Sequence, residues 1–167
     1  MKHFVRVFWN ICTFRAGPQV LPASRLLLAL ALGAHWLVGI AHSAFTFTLP
    51  VSLLAALLGT ATVVALIHSI LTLRGHSARS VQTLTAVAGS EVLLGVLALP
   101  VTVMLYGGGD QSVAALLMLL LMAWNLAVVA HILRHALDVP LSAGVGFALI
   151  YTVVSYGLVD LALARGG

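Results

Sequence analysis

Five apolar runs fill most of this chain: residues 25–45, 50–73, 81–106, 112–136 and 141–163. A helix needs about 20 apolar residues to cross the hydrocarbon core of a bilayer. In that medium only helices and closed barrels satisfy their own backbone hydrogen bonds. The runs therefore predict an all-α polytopic membrane protein, a bundle of five transmembrane helices. Composition agrees, with 62% hydrophobic and only 7% charged residues. A soluble domain carries about 25% charged residues, enough to coat its surface.

Each break between the runs has a local physical signal. Ser24 precedes the first run and is placed to cap a helix N-terminus. Pro50 opens the second, where a missing backbone N–H costs little. The segment LRGHSARS (73–80) separates the second run from the third. The glycine-rich turn YGGGDQS (106–112) separates the third from the fourth, and Asp138 and Pro140 separate the fourth from the fifth.

Basic residues orient such a chain, because they are retained on the cytoplasmic side. With the N-terminus inside, that side holds Lys2, Arg6, Arg15, Arg25, Arg74, Arg79 and Arg134, and the other side holds Arg165 alone. The expected placement is the bacterial inner membrane, multi-pass, with a cytoplasmic N-terminus and a periplasmic C-terminus. The long polar lead-in and the length of the first run favour an uncleaved span over a signal peptide.

Residues 1–24 form a separate region, an amphipathic helix followed by a Pro-containing linker, and 25–167 form the transmembrane domain. On a helical wheel, Lys2, His3, Arg6, Asn10 and Thr13 gather on one side. Phe4, Val5, Val7, Phe8, Ile11, Cys12 and Phe14 occupy the other, with Trp9 at the border. A basic face opposite an aromatic one suits the membrane interface, so Lys2, Arg6, Phe8 and Trp9 are the expected anchor. Docking on a partner protein is the alternative use of that face.

Polar groups inside the spans are costly unless they face protein or water. Glu91 lies near the middle of the third run. Ala88, Gly95 and Ala98 share its helical face, and Leu93, Val96 and Leu97 lie opposite. Small residues permit close helix approach, so Glu91 is expected on the packed face. At about 1.5 Å per residue, His35, Glu91 and Asn125 all reach about 15 Å depth. They form the expected intramembrane polar cluster, with Glu91 meeting either His35 or Asn125. His68 and His131 lie shallower and are candidates for holding a ligand or a proton. Tyr151, Thr152, Ser155, Tyr156 and Asp160 add polarity to the fifth run.

Most site chemistries lack their marks. Cys12 is the single cysteine, which leaves no intrachain disulfide and no cysteine metal cluster. No His-Glu-x-x-His, Gly-x-Ser-x-Gly or nucleotide-loop pattern occurs, so neither an enzyme nor a metal site is expected. No cofactor is expected either; haem b, ligated by His68 and His131 on neighbouring spans, is the one exception that the residues allow. No basic, aromatic-rich module suggests nucleic acid.

Two stretches, FRAGPQVLPASRLLL (14–28) and AWNLAVVAHILRHALDVPLSAGVGFALIYTVVSYGLV (123–159), resemble small bacterial inner-membrane proteins of the Yip1-domain-like group. The resemblance implies a compact five-helix bundle. It implies no activity and transfers no catalytic residue, and the long soluble N-terminal region of the eukaryotic members is lacking here.

The expected function is that of a non-enzymatic accessory or scaffold subunit of an inner-membrane assembly. Its partners would be membrane lipids and other integral membrane proteins or further copies of itself. The alternative is a small transporter or channel-like protein with a midplane polar site around Glu91, and a b-type haem protein is a third reading.

Overall fold

A computed structural model describes residues 2–164 of the protein. The described residues form six α-helices: α1 (Lys2–Cys12), α2 (Arg25–Ser43), α3 (Leu49–Leu73), α4 (Ser80–Tyr106), α5 (Gln111–Leu137) and α6 (Leu141–Ala164). A 3-10 turn at Pro18–Val20 links α1 to α2, and another at Ser77–Arg79 leads into α4. The expected runs and the observed helices agree to within two residues at every end. Among the described residues, four stretches are long and apolar enough to cross a membrane: Arg25–Ser43, Leu49–Leu73, Ser77–Tyr106 and Gln111–Leu137. α6 carries a shorter apolar stretch, Leu141–Ser155. The protein is an all-α polytopic bundle.

The helix ends are built as their residues demand. Ser24 Oγ accepts from the Leu27 amide at 3.3 Å. Asp110 Oδ1 accepts from the amides of Ser112 and Val113 at 3.0 and 3.1 Å, an N-cap for α5. Asp138 closes α5 in the left-handed region, at φ 52°. Arg79 Nη1 donates to Asp138 Oδ2 at 2.7 Å and to the Ala136 carbonyl at 2.9 Å. One guanidinium thus ties the α3–α4 connection to the α5–α6 connection and neutralises the carbonyl end of α5.

α2 to α6 pack as a ring. α2 lies against α3 and α4, α3 against α6, α6 against α5, and α5 against α4, while α3 also touches α4. α4 is the hub because its first half is small on all sides. Thr83, Leu84, Thr85, Ala86, Val87, Ala88, Gly89 and Ser90 are buried without a gap. Thr83 and Thr85 direct their hydroxyls back to the carbonyls of Arg79 and Val81 at 2.9 and 2.7 Å, so burial leaves neither unpaired.

α1 docks in the groove between α4 and α5. Ile11 and Cys12 are fully buried. Trp124 Nε1 donates to the Cys12 carbonyl at 2.9 Å, and the rings of Trp9 and Trp124 meet edge-to-face at 6.1 Å. The Phe8 ring sits where a Cβ of residue 89 would be, so glycine is required there. Gly89 is nine residues into α4, about 14 Å from its start at the helical rise. This corrects part of the expected anchor: Phe8 packs on protein, not lipid, because Gly89 opens a slot for its ring. Arg6 is exposed and Trp9 is 42% exposed. The Lys2 side chain lies outside the described residues.

Packing density differs between the two ends of the ring. At the end bearing α1, Ile67, Leu71, Leu84, Val87, Val128, Val129, Ile132 and Leu133 form a closed core. At the opposite end Leu116, Leu117, Leu119, Leu120 and Met122 of α5 are all 40% exposed or more. Side chains fill the ring at the end bearing α1, and the other end is hollow.

Candidate functional site: a polar floor beneath a hollow half-bundle

The hollow half holds a half-open cavity of about 410 Å³, within the range of small-molecule sites. All five ring helices wall it: His35, Gly39 and His42 from α2, Ala56 and Gly59 from α3, Glu91, Gly95 and Ala98 from α4, Met118, Met122 and Asn125 from α5, and Tyr151 and Ser155 from α6. Two close approaches draw α2 inward. A Cβ on Gly95 would lie 2.6 Å from Val38 Cγ1, and one on Gly39 would lie 3.1 Å from Ala56 Cβ. The small residues predicted on the Glu91 face are therefore consumed within the chain. Val96 and Leu97, predicted opposite, are 49% and 42% exposed.

Glu91 forms the floor. Tyr151 Oη donates to its Oε1 at 2.8 Å, and His35 Nε2 lies 3.1 Å from its Oε2. The Glu91 and His35 side chains are 12% and 19% exposed. His35 Nδ1 lies 2.9 Å from Thr60 Oγ1, which in turn lies 2.9 Å from the Ala56 carbonyl. Of the two neighbours expected for Glu91, the structure supplies His35. Asn125 lines the same cavity without bonding to the pair. Its Oδ1 is buried with no protein donor, as is Ser155 Oγ. Glu91 Oε2 is likewise buried and unpaired apart from the 3.1 Å contact with His35 Nε2.

The Thr60 hydroxyl gives this row two proton arrangements with no movement of heavy atoms. When the Glu91–His35 pair carries an extra proton, Nδ1–H donates to Thr60 and Thr60 donates to the Ala56 carbonyl. Without it, Thr60 turns its hydrogen to Nδ1, and Nε2–H faces the carboxylate. A histidine has a donor or an acceptor at each nitrogen according to its tautomer, and a hydroxyl rotates to suit.

Sequence reasoning named Tyr151 only as a polar residue of the last run and left out Thr60. Tyr151 is ten residues into α6 and Glu91 eleven into α4, so depth counting at the α1 end identifies the pair. His42 is held by both ring nitrogens, Nε2 to the Gly95 carbonyl at 3.0 Å and Nδ1 to Thr102 Oγ1 at 2.9 Å. It braces α2 on α4 at the cavity wall.

His68 and His131 are not brought together, which corrects the pairing their depths allowed. His68 is exposed on α3, with Nδ1 3.2 Å from Ser80 Oγ. His131 is buried on α5, its Nε2 donating to the Ala16 carbonyl at 3.0 Å and its ring edge-on to His135 at 4.7 Å. Each ring serves the packing of its own connection.

Outside the spans, Cys12 is fully buried, and burial pushes its thiol above the ordinary value of 9.0. No protein-family model matches this sequence, and no curated protein and no solved structure is detectably similar to it.

Proposed function

We propose that the protein is a small transporter or channel-like membrane protein that admits a solute into the hollow half of the bundle, where Glu91 and His35 handle a proton. The observation that carries this is the coincidence of two features. A cavity of about 410 Å³ is walled by all five ring helices, and a carboxylate only 12% exposed forms its floor. A buried acid at that depth is expensive to keep unless it is used.

The seven-to-one distribution of Lys and Arg supports a cytoplasmic N-terminus and a periplasmic C-terminus in a bacterial inner membrane. On that orientation the cavity belongs to the periplasmic half and α1 to the cytoplasmic half. A five-helix bundle of the Yip1-domain-like kind fits this arrangement but carries no activity with it. An accessory or scaffold role has less support, because the small-residue faces that suggested partner helices are occupied by Val38 and Ala56 of the same chain.

The test is reconstitution into proteoliposomes with an imposed pH gradient. The protein should dissipate the gradient when a permeating solute is supplied, and Glu91→Gln should abolish that flux while keeping size and hydrogen bonding. Flux that survives the substitution with unchanged pH dependence refutes the reading. Access to the hollow half is tested separately with Ala98→Cys, which a membrane-impermeant maleimide should label from the face opposite the N-terminus. Absence of labelling there means that the cavity is sealed.

A further inference from the structure

We infer that the cavity binds a small organic amine in its protonated form, in exchange for the proton held by Glu91 and His35. This rests on the reading of the cavity as a solute site and names the class of solute.

The argument starts from charge. Among the described residues lining the cavity, Glu91 is the single acid, and neither lysine nor arginine is present. His35 and His42 of α2 and Tyr151 of α6 are the other titratable groups on the wall; α3 contributes only Ala55, Ala56, Gly59 and Val63, and α5 contributes Asn125, which does not titrate. An uncompensated carboxylate in this setting is strongly disfavoured. One positive charge is therefore required, and it has two possible sources. In the empty site the proton shared by Glu91 and His35 provides it. In the loaded site an ammonium group provides it, and the shared proton becomes dispensable. The site stays neutral in both states.

Hydrogen bonding points to the same chemistry. Glu91 Oε2, Asn125 Oδ1 and Ser155 Oγ line one cavity, and all three are buried oxygens without an aligned protein donor. A primary ammonium brings three N–H donors and no acceptor, as lysine does. A carboxylate or phosphate ligand would instead bring negative charge against Glu91. Around these oxygens the wall is apolar, from Leu94, Leu121, Met118 and Met122, which suits a hydrocarbon or aromatic body. Thioethers adapt to irregular shapes and contact aromatic rings favourably. The exchange balances as follows: the ammonium enters with its charge, the proton leaves the Glu91–His35 pair through the cavity to water, and the Thr60 hydroxyl turns toward His35 Nδ1.

The test uses the full chain in lipid nanodiscs and three probes of one shape: phenethylamine, 2-phenylethanol and phenylacetate. Titration calorimetry is run in phosphate and in HEPES, whose ionisation heats differ and neither of which is a primary amine. Phenethylamine should bind with release of about one proton, and the other two should bind at least about tenfold more weakly. Glu91→Gln should lose amine binding. Should that variant fail to fold, the wild-type protein still decides the matter: lowering the pH by one unit should weaken the amine by up to about tenfold through direct competition, and Ser155→Ala should weaken it at constant pH. Equal binding of the alcohol, or amine binding without proton release, overturns the inference. If the amine fails to bind while Ala98→Cys is labelled, the inference falls and the solute-site reading stands. If no probe binds and Ala98→Cys is unlabelled, both fall.

Discussion

Glu91 is held from two sides by residues more than fifty positions away in the chain, and each contact has a separable consequence. Tyr151→Phe removes the donor to Oε1 and leaves a buried acceptor unpaired, at a cost of about 1–3 kcal/mol. Thermal unfolding in detergent, followed by tryptophan fluorescence, should show a lowered midpoint, whereas Tyr106→Phe, at a tyrosine 55% exposed, serves as the control. Thr60→Val keeps the shape but removes the turning hydroxyl. His35 Nδ1 then has no partner, and solute-driven proton flux should fall even where the protein folds normally. Cys12 offers a third reading at this scale. Fully buried and with its thiol pushed up, it should resist maleimide in the folded protein at pH 7 and react after denaturation in SDS. The folded state holds the thiol proton more tightly than the unfolded one. Stability from this group is therefore intact below 9.0 and declines as pH rises past that value.

The helices behave as units whose register is set by glycines. At Gly89 the added methyl of Gly89→Ala would overlap the Phe8 ring, and overpacking of this kind costs about 1–3 kcal/mol. Combined with Phe8→Ala, which vacates the slot, Gly89→Ala should cost much less than it does alone. Losses that add in the double variant would mean that α1 does not dock there. Element boundaries were legible in the sequence because lipid forces each span to be apolar and about 20 residues long, and because Ser24 and Pro50 mark starts chemically. The contact of Glu91 with His35 was legible as one of two options, since depth along a helix can be counted. What sequence reasoning missed is lateral: which helices are neighbours, and at what angle. Periodicity places Phe8 on an apolar face but does not distinguish lipid from the slot at Gly89, both being apolar surroundings. Depth likewise permits His68 and His131 to meet, whereas α3 and α5 direct them to Ser80 and to Ala16.

For the whole molecule, the contrast between a filled end and a hollow end should be measurable. Amide hydrogen exchange in nanodiscs should reach residues 111–127 of α5 before residues 128–137, since the latter lie in the closed core. Uniform protection along α5 would contradict the hollow half. The placement of α1 also has a consequence for assembly. Hydrogen bonds of α1 and of the linker after it reach Trp124 and His131, 112 and 115 residues away along the chain. α1 leaves the ribosome long before the groove that receives it exists, because that groove needs both α4 and α5 in the membrane. Until then its aromatic face has only the lipid headgroups to rest on, which is the use its amphipathic pattern suits. Synthesis and docking thus run in opposite orders: the earliest helix is among the last to be seated, and its arrival seals the bundle around Cys12.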